Sequence, residues 1–100
     1  MTTLAKARIP RRFKVMGHTI TVRRLPLSRW KHADCVGYFD PQKMVIAICT
    51  ASTVTAQEQC FWHEATHAML YCLGSPDYAN EALVDQLGGL IHQITSTSVF

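Results

Sequence analysis

The chain has 100 residues, of which 48% are hydrophobic and 17% are charged, and its formal net charge at pH 7 is +3. This composition is typical of one folded domain spanning residues 1–100, and it excludes an intrinsically disordered chain. No run approaches the roughly 18 apolar residues of a membrane helix, and the N-terminus lacks an apolar signal core, so we expect a cytoplasmic protein.

The charges are unevenly distributed along the chain. All ten Lys and Arg lie in residues 1–43, whereas residues 44–100 contain five acidic residues and no basic ones. The basic residues within 6–31 could attract an acidic or nucleic-acid-bound partner. Alternatively, they protect strand edges and keep the protein soluble. We favour the second interpretation, because these segments lack the interleaved aromatic residues of a nucleic-acid-binding platform.

The predicted elements begin with a basic arm and a hairpin. Residues 1–11 are typical of a loose arm. Residues 13–25 alternate apolar and polar side chains around Gly17, which predicts two antiparallel strands with a turn near the glycine. Residues 26–34 are consistent either with a short helical turn or with an irregular link.

A second hairpin is predicted from 35–39 and 44–49, with its turn at 40–43. The second of these strands is rich in apolar and β-branched residues, which suits a sheet. Cys35 and Cys49 flank this hairpin and could approach each other. We expect all four cysteines to be reduced, because none forms a CxxC pair and a cytoplasmic protein seldom keeps disulfides.

Two helices are predicted to follow the strands. Thr55 and Glu58 have the spacing of a capping box, which would start the first helix, and Gly74 and Pro76 would stop it. The last helix is predicted from about 77–94.

The first helix contains the motif His63-Glu64-Ala65-Thr66-His67, which has the form HExxH. Residues four apart share one helix face, so the two imidazoles can bind one cation. Glu64 can hold a water molecule on that cation and accept its proton, as in zinc metallopeptidases.

A catalytic zinc ion usually has three protein ligands and one water. Downstream candidates for the third ligand are Asp77, Glu81, Asp85 and His92, and we select Glu81. Asp85 lies one helical turn later on the same face, where it can accept a hydrogen bond from the free ring nitrogen of a ligating His. The expected cofactor is Zn²⁺, although such a site accepts other divalent ions.

The motif 63–67 followed by Asn-Glu-Ala-Leu-Val-Asp at 80–85 resembles the HExxH…NExxxD signature of the gluzincins, the thermolysin-like zinc peptidases. The resemblance covers roughly residues 60–93. The gap between His67 and Glu81 is shorter than in that family, and the chain has no room for its separate helical domain. In size and layout the chain is also similar to small zincin-like proteins of phages and mobile elements.

Strands followed by helices predict an α+β fold, and the resemblance implies that this fold is a minimal zincin-like one. Antiparallel N-terminal hairpins would form a small sheet, followed by an active-site helix and a C-terminal ligand-bearing helix. Glu81 would be the third ligand, and Asp85 would orient His63. Strand 44–49 would be the sheet edge beside the cleft and would pair with an extended substrate. Gly88-Gly89 would let the two helices pack closely.

The predicted function is zinc-dependent endoproteolysis of a protein or peptide, in which Glu64 passes the proton from water to the leaving amine. One alternative is a catalytically silent metal-binding protein that acts as an inhibitor or adaptor of a protein or protein–DNA partner. Others are a structural zinc site and a peptidase that acts on nucleic-acid-bound proteins. No oxyanion donor is selected from the candidates Tyr71, Tyr78, His18 and His32.

Overall fold

The computed structural model describes residues 6–100 and has an α+β architecture, a four-stranded sheet followed by two helices. The strands are β1 (Arg12–Val15), β2 (His18–Leu25), β3 (Gly37–Asp40) and β4 (Val45–Cys49), and the helices are α1 (Val54–Cys72) and α2 (Glu81–Thr97). Short 3-10 turns lie at Leu27–Arg29 and Pro76–Ala79. The predicted α+β class is therefore confirmed.

Both predicted hairpins form. Strands β1 and β2 pair antiparallel around Met16 and Gly17, which have positive φ angles of 51° and 83°. Strands β3 and β4 also pair antiparallel, but β4 joins the first hairpin by running parallel to β2. The strand order is β1-β2-β4-β3, and the parallel pair β2–β4 makes the sheet mixed. The two local hairpin patterns do not determine this pairing.

The order of the strands corrects the expected sheet edge. The predicted edge strand 44–49 corresponds to β4, which is flanked by β2 and β3, and the true edge on this side is β3. The side chains of Ile46, Ala47 and Ile48 are consecutive and all buried. Burial on both faces is typical of a central strand, and this accounts for the continuous apolar run.

The core lies between one face of the sheet and α1. Four strand residues from β2 and β4 contact three residues of α1, and this buried cluster consists of Ile20, Val22, Ile46, Ile48, Phe61, Ala65 and Ala68. In β2 these apolar residues alternate with exposed threonine and arginine, so the outer face of this strand is polar. The inner face therefore fixes α1 across the sheet.

The N-terminus of α1 differs from the predicted capping box. The Oγ1 atom of Thr53 accepts a hydrogen bond from the Ala56 backbone N–H at 3.2 Å, so Thr53 is the N-cap. Thr55 is already helical. Glu58 instead accepts hydrogen bonds from the Arg8 backbone N–H at 2.8 Å and from His92 Nε2 at 3.3 Å.

The predicted C-terminus of α1 is confirmed. Gly74 has a φ angle of 69°, and its N–H donates to Tyr71 O at 2.9 Å. The Ser75 N–H donates to Leu70 O, also at 2.9 Å. These two bonds form a Schellman motif, in which a left-handed glycine ends the helix.

Helix α2 begins later than predicted. Residues 77–79 belong to the separate 3-10 turn, and Asn80 caps α2 by accepting a hydrogen bond from the Leu83 N–H at 3.1 Å. The helix runs to Thr97 rather than Ile94. As a result, Glu81 is the first residue of α2.

The two helices approach closely at Gly88. A Cβ atom there would lie 3.0 Å from His63 Cα and 3.1 Å from Trp62 O, whereas a Cβ atom on Gly89 would meet nothing within 4 Å. The predicted close packing is therefore confirmed for Gly88 alone.

The N-terminal arm contacts the rest of the protein where it is described. Ala7 is buried, the Arg8 N–H bonds to Glu58, and Arg11 O accepts a hydrogen bond from the Val22 N–H at 2.8 Å. Residues 1–5 of the predicted arm lie outside the described part of the chain.

Two further expectations concern cysteines and membrane helices. All four cysteines are free thiols. Among residues 6–100, neither helix combines the length and the apolar character required to cross a bilayer.

Thr53→Ala should lower the free energy of unfolding by about 1 kcal/mol, because it removes the N-cap of α1. Thr55→Ala is the matched control and should change it by less than about 0.5 kcal/mol, because Thr55 is exposed within the helix. Urea denaturation followed by circular dichroism measures both values. A larger loss of unfolding free energy in Thr55→Ala than in Thr53→Ala would identify Thr55 as the N-cap.

Gly88→Ala should destabilise the protein by about 1–3 kcal/mol, since the added methyl group meets backbone atoms that cannot rotate away. Gly89→Ala should instead stabilise it by roughly 0.5–1 kcal/mol through helix propensity. The same denaturation measurement compares the two variants. Equal effects would contradict the close helix approach at Gly88.

Candidate metal centre

Helix α1 and the first turn of α2 bring together the three predicted ligands. His63 and His67 lie one turn apart, and their ring centroids are separated by 5.0 Å. Glu81 approaches both, with Oε2 at 3.1 Å from His63 Nε2 and Oε1 at 3.0 Å from His67 Nε2. One potential ligand atom from each of the three residues lies within 4.8 Å of the others.

These separations fit a shared metal ion. Histidine nitrogen and carboxylate oxygen bind Zn²⁺ at about 2.0–2.2 Å, so two ligands of one tetrahedral ion are roughly 3.4 Å apart. The two nitrogen–oxygen distances at Glu81 are only slightly shorter than this. Two imidazoles and one carboxylate are donors that divalent transition metals accept. The His63, His67 and Glu81 group could therefore bind a metal ion.

Hydrogen bonds orient both imidazole rings. His67 Nδ1 lies 2.6 Å from Tyr78 O. A carbonyl oxygen can only accept a hydrogen bond, so Nδ1 carries the proton and donates it. This leaves the Nε2 lone pair directed towards Glu81. His63 Nδ1 lies 3.4 Å from Asp85 Oδ1, so Asp85 is positioned where the sequence places the orienting carboxylate. Such contacts fix the tautomer of a ligating histidine.

The backbone carbonyl of Tyr78 is a component that the sequence reasoning missed. The phenol of Tyr78 is a candidate oxyanion donor from the sequence, but the backbone carbonyl of Tyr78 makes the contact with His67. Every residue has a carbonyl group, so residue type gives no signal for this role. The sequence does indicate the short turn that contains Tyr78, because Ser75 followed by Pro76 is typical of a helix start. In the structure Ser75 caps this 3-10 turn.

Glu64 lies beside the two histidines and is buried. Burial raises the pKa of Glu64, the negative charge of Glu81 adds to this rise, and His63 and His67 oppose it. Glu64 lines the same cleft as the three candidate ligands. Its carboxylate is therefore placed next to the group that could bind a metal.

This cleft has a volume of about 430 Å³ and lies between the helices and the sheet edge. Strand β3 contributes one wall through Gly37, Tyr38 and Phe39. A Cβ atom on Gly37 would overlap the sulfur of Cys60, so glycine is needed where β3 crosses α1. Tyr38 was not among the predicted site residues, and its position on the edge strand was the missing information.

Cys60 lies one helical turn before Glu64 on α1. Burial, together with the negative charge of Glu64, raises the pKa of Cys60 to about 12. The Cys60 thiol donates a weak hydrogen bond to Val36 O at 3.6 Å. It therefore holds the start of β3 against α1.

Other sequence candidates lie outside the metal-ligand group. His92 is buried against Glu58, and Asp77 sits in the 3-10 turn before α2. Tyr71 packs between Phe39 and Tyr78, with ring centroids 5.9 Å and 5.3 Å away. Within residues 6–100, His63, His67 and Glu81 form the only cluster of this kind.

No family model, curated protein or solved structure gives a significant match to this chain.

Glu81→Ala should weaken Zn²⁺ binding by more than about 100-fold, because it removes a direct ligand, and Asp85→Ala should weaken it by about 10–100-fold. Asp77→Ala is the matched acidic control and should change affinity by less than about threefold. Competition with a chromophoric chelator measures the three affinities. A larger loss of Zn²⁺ affinity in Asp77→Ala than in Glu81→Ala would identify Asp77, and not Glu81, as the third ligand.

Proposed function

We propose that this protein is a zinc-dependent metallopeptidase of a minimal, single-domain gluzincin type. The observation that supports this proposal best is a shared cleft that contains both the three candidate ligands and the buried carboxylate of Glu64. A structural metal site has no use for a general base, and it usually fills the fourth position with another protein ligand. Here Asp85 contacts the outer nitrogen of His63 instead.

Each residue in the cleft has a distinct part in the proposed reaction. His63, His67 and Glu81 would hold the ion, and Asp85 with the Tyr78 carbonyl keeps the two imidazoles in place. When bound there, Zn²⁺ would supply Lewis-acid polarisation of the scissile carbonyl and a lower pKa for a water ligand. Glu64 accepts a proton from the attacking water and delivers it to the leaving amine.

The substrate is proposed to be an extended peptide beside β3. Among residues 6–100 this strand pairs only with β4, so its other edge offers free backbone groups next to the cleft. Added strands gain affinity from main-chain hydrogen bonds, whatever their sequence. Strand 44–49, which the resemblance implies for this role, cannot take it, because β4 is paired with β2 on one edge and with β3 on the other.

A second cavity beside the cleft could accept one side chain of the proposed peptide substrate. It has a volume of about 490 Å³ and meets the cleft at Cys35. Its lining is largely apolar and includes Leu27, Trp30, Val36 and Cys49. A peptide that extends past Gly37 along the edge of β3 would place a large apolar side chain there. We therefore expect preference for such a residue near the cleaved bond.

Glu64→Gln should abolish peptide hydrolysis, with a loss of at least about 100-fold, while Zn²⁺ remains bound. The amide is nearly isosteric but cannot accept the proton. Glu58→Gln is the matched control on the same helix, and it should retain activity because Glu58 lies apart from the cleft. A quenched mixed-peptide assay and metal analysis on the same samples give both quantities.

Cleavage retained in Glu64→Gln would contradict the general-base role. Wild-type protein that binds one Zn²⁺ but cleaves nothing would favour the inhibitor or adaptor alternative. The absence of Zn²⁺ binding in the wild type would overturn the metallopeptidase proposal.

A further inference from the structure

The outer face of the sheet, opposite α1, carries basic side chains from β1 and β2. Paired strand residues project to the same face, so Arg23, Ala47 and Tyr38 share one row across β2, β4 and β3. Arg12 pairs with Thr21 and belongs to the neighbouring row on that face. The apolar residues of β2 point the other way, into the core.

The segment between β2 and β3 adds aromatic rings to one end of this face. The ring centroids of Trp30 and His32 are 5.6 Å apart, those of Trp30 and Tyr38 are 5.8 Å apart, and those of His32 and Tyr38 are 4.8 Å apart. Trp30 Nε1–H donates to both His32 O and Cys35 O at 2.8 Å. These hydrogen bonds fix the segment, so the cluster is preorganised.

Basic residues flank the aromatic cluster. Arg29 and Lys31 line a depression of about 180 Å³ together with Trp30, His32 and Tyr38. His32 is exposed, and Trp30 and Tyr38 are half-buried, so ring surface remains accessible beside the cations. Along the sequence, the basic residues of the first hairpin are not interleaved with exposed aromatic residues. The fold supplies them from outside the strands of the basic hairpin.

The basic side chains of this face have no acidic partners in the described part of the chain. Every ion pair within residues 6–100 involves a histidine, and none involves Lys or Arg. Asp40 shares a register row with Arg12, but its Oδ1 accepts hydrogen bonds from the Gln42 and Lys43 N–H groups. Within residues 6–100, five exposed cations lie on this face or beside its aromatic end: Arg12, Lys14, Arg23, Arg29 and Lys31.

We propose that this outer face binds single-stranded nucleic acid. Unpaired bases stack on the cluster of Trp30, His32 and Tyr38, and the phosphates contact the neighbouring cations. Aromatic rings beside a basic track are the usual requirement for sequence-tolerant single-strand binding. Neighbouring β-strands are about 4.8 Å apart, so β2 lies about 10 Å from β3. A nucleic acid whose bases stack at the aromatic end can therefore reach the cations of β2 with its phosphates. The proposed surface uses none of the candidate metal ligands, although it shares Tyr38 with the wall of the metal cleft and Trp30 with the second cavity.

The test is the fluorescence anisotropy of a labelled oligothymidylate of about 12 nucleotides, titrated with the full chain at pH 8 over a range of salt concentrations. Five phosphate contacts predict that log affinity falls with log salt with a slope of about −3.5. Arg23→Gln should raise Kd about fivefold and reduce this slope by about 0.7. His32→Ala should raise Kd about fivefold or more and leave the slope unchanged.

Arg24→Gln is a matched control on the same strand. Arg24 points to the other side, where its Nη2 donates to Gln57 Oε1 at 3.2 Å, so this variant should bind like the wild type. An equal loss in Arg24→Gln and Arg23→Gln would overturn the assignment to the outer face. Tighter binding of a duplex of the same length would overturn single-strand recognition. Equal binding of polyglutamate would indicate an acidic protein partner instead, and no binding would refute the proposal outright.

Discussion

The close contact between α1 and α2 is the constraint on which the site depends. Gly88 brings the α2 backbone against α1 at His63, and residues 81, 85, 88 and 92 form one stripe along α2. The stripe faces α1 throughout, because Glu81 contacts both histidines of the motif, Asp85 contacts His63, and His92 contacts Glu58. The surface that packs the two helices is therefore also the surface that assembles the candidate ligands. Any change in helix separation changes the ligand geometry directly.

The sequence predicts best what depends on local spacing. Two histidines four residues apart must share a helix face, and Gly74 must end the helix where a left-handed conformation is required. The N-cap was wrong by two residues, because Thr53 and Thr55 are chemically alike and only the course of the chain selects between them. The position of β4 in the sheet depends on nonlocal pairing with β2, which no local pattern specifies. The Tyr78 carbonyl was missed for the same reason.

Strand β3 connects two features on different sides of the sheet. Its free edge lines the cleft beside the candidate ligands, and its outer face adds Tyr38 to the aromatic cluster. Gly37 makes this possible, because only a residue without a side chain can cross so close to Cys60 on α1. The four residues of β3 thus position the proposed substrate edge and part of the proposed nucleic-acid surface. In a chain of this size, one short strand serves both.

The distribution of the candidate ligands over two helices has a thermodynamic consequence. An ion held by His63, His67 and Glu81 would cross-link α1 to α2 through a loop of 13 intervening residues, 68–80. An unfolded chain cannot reproduce this arrangement, so binding free energy becomes folding free energy. By mass action, free Zn²⁺ at about 100 times its Kd would add about 2.7 kcal/mol to the stability. The folded population of the protein would then report the concentration of available metal.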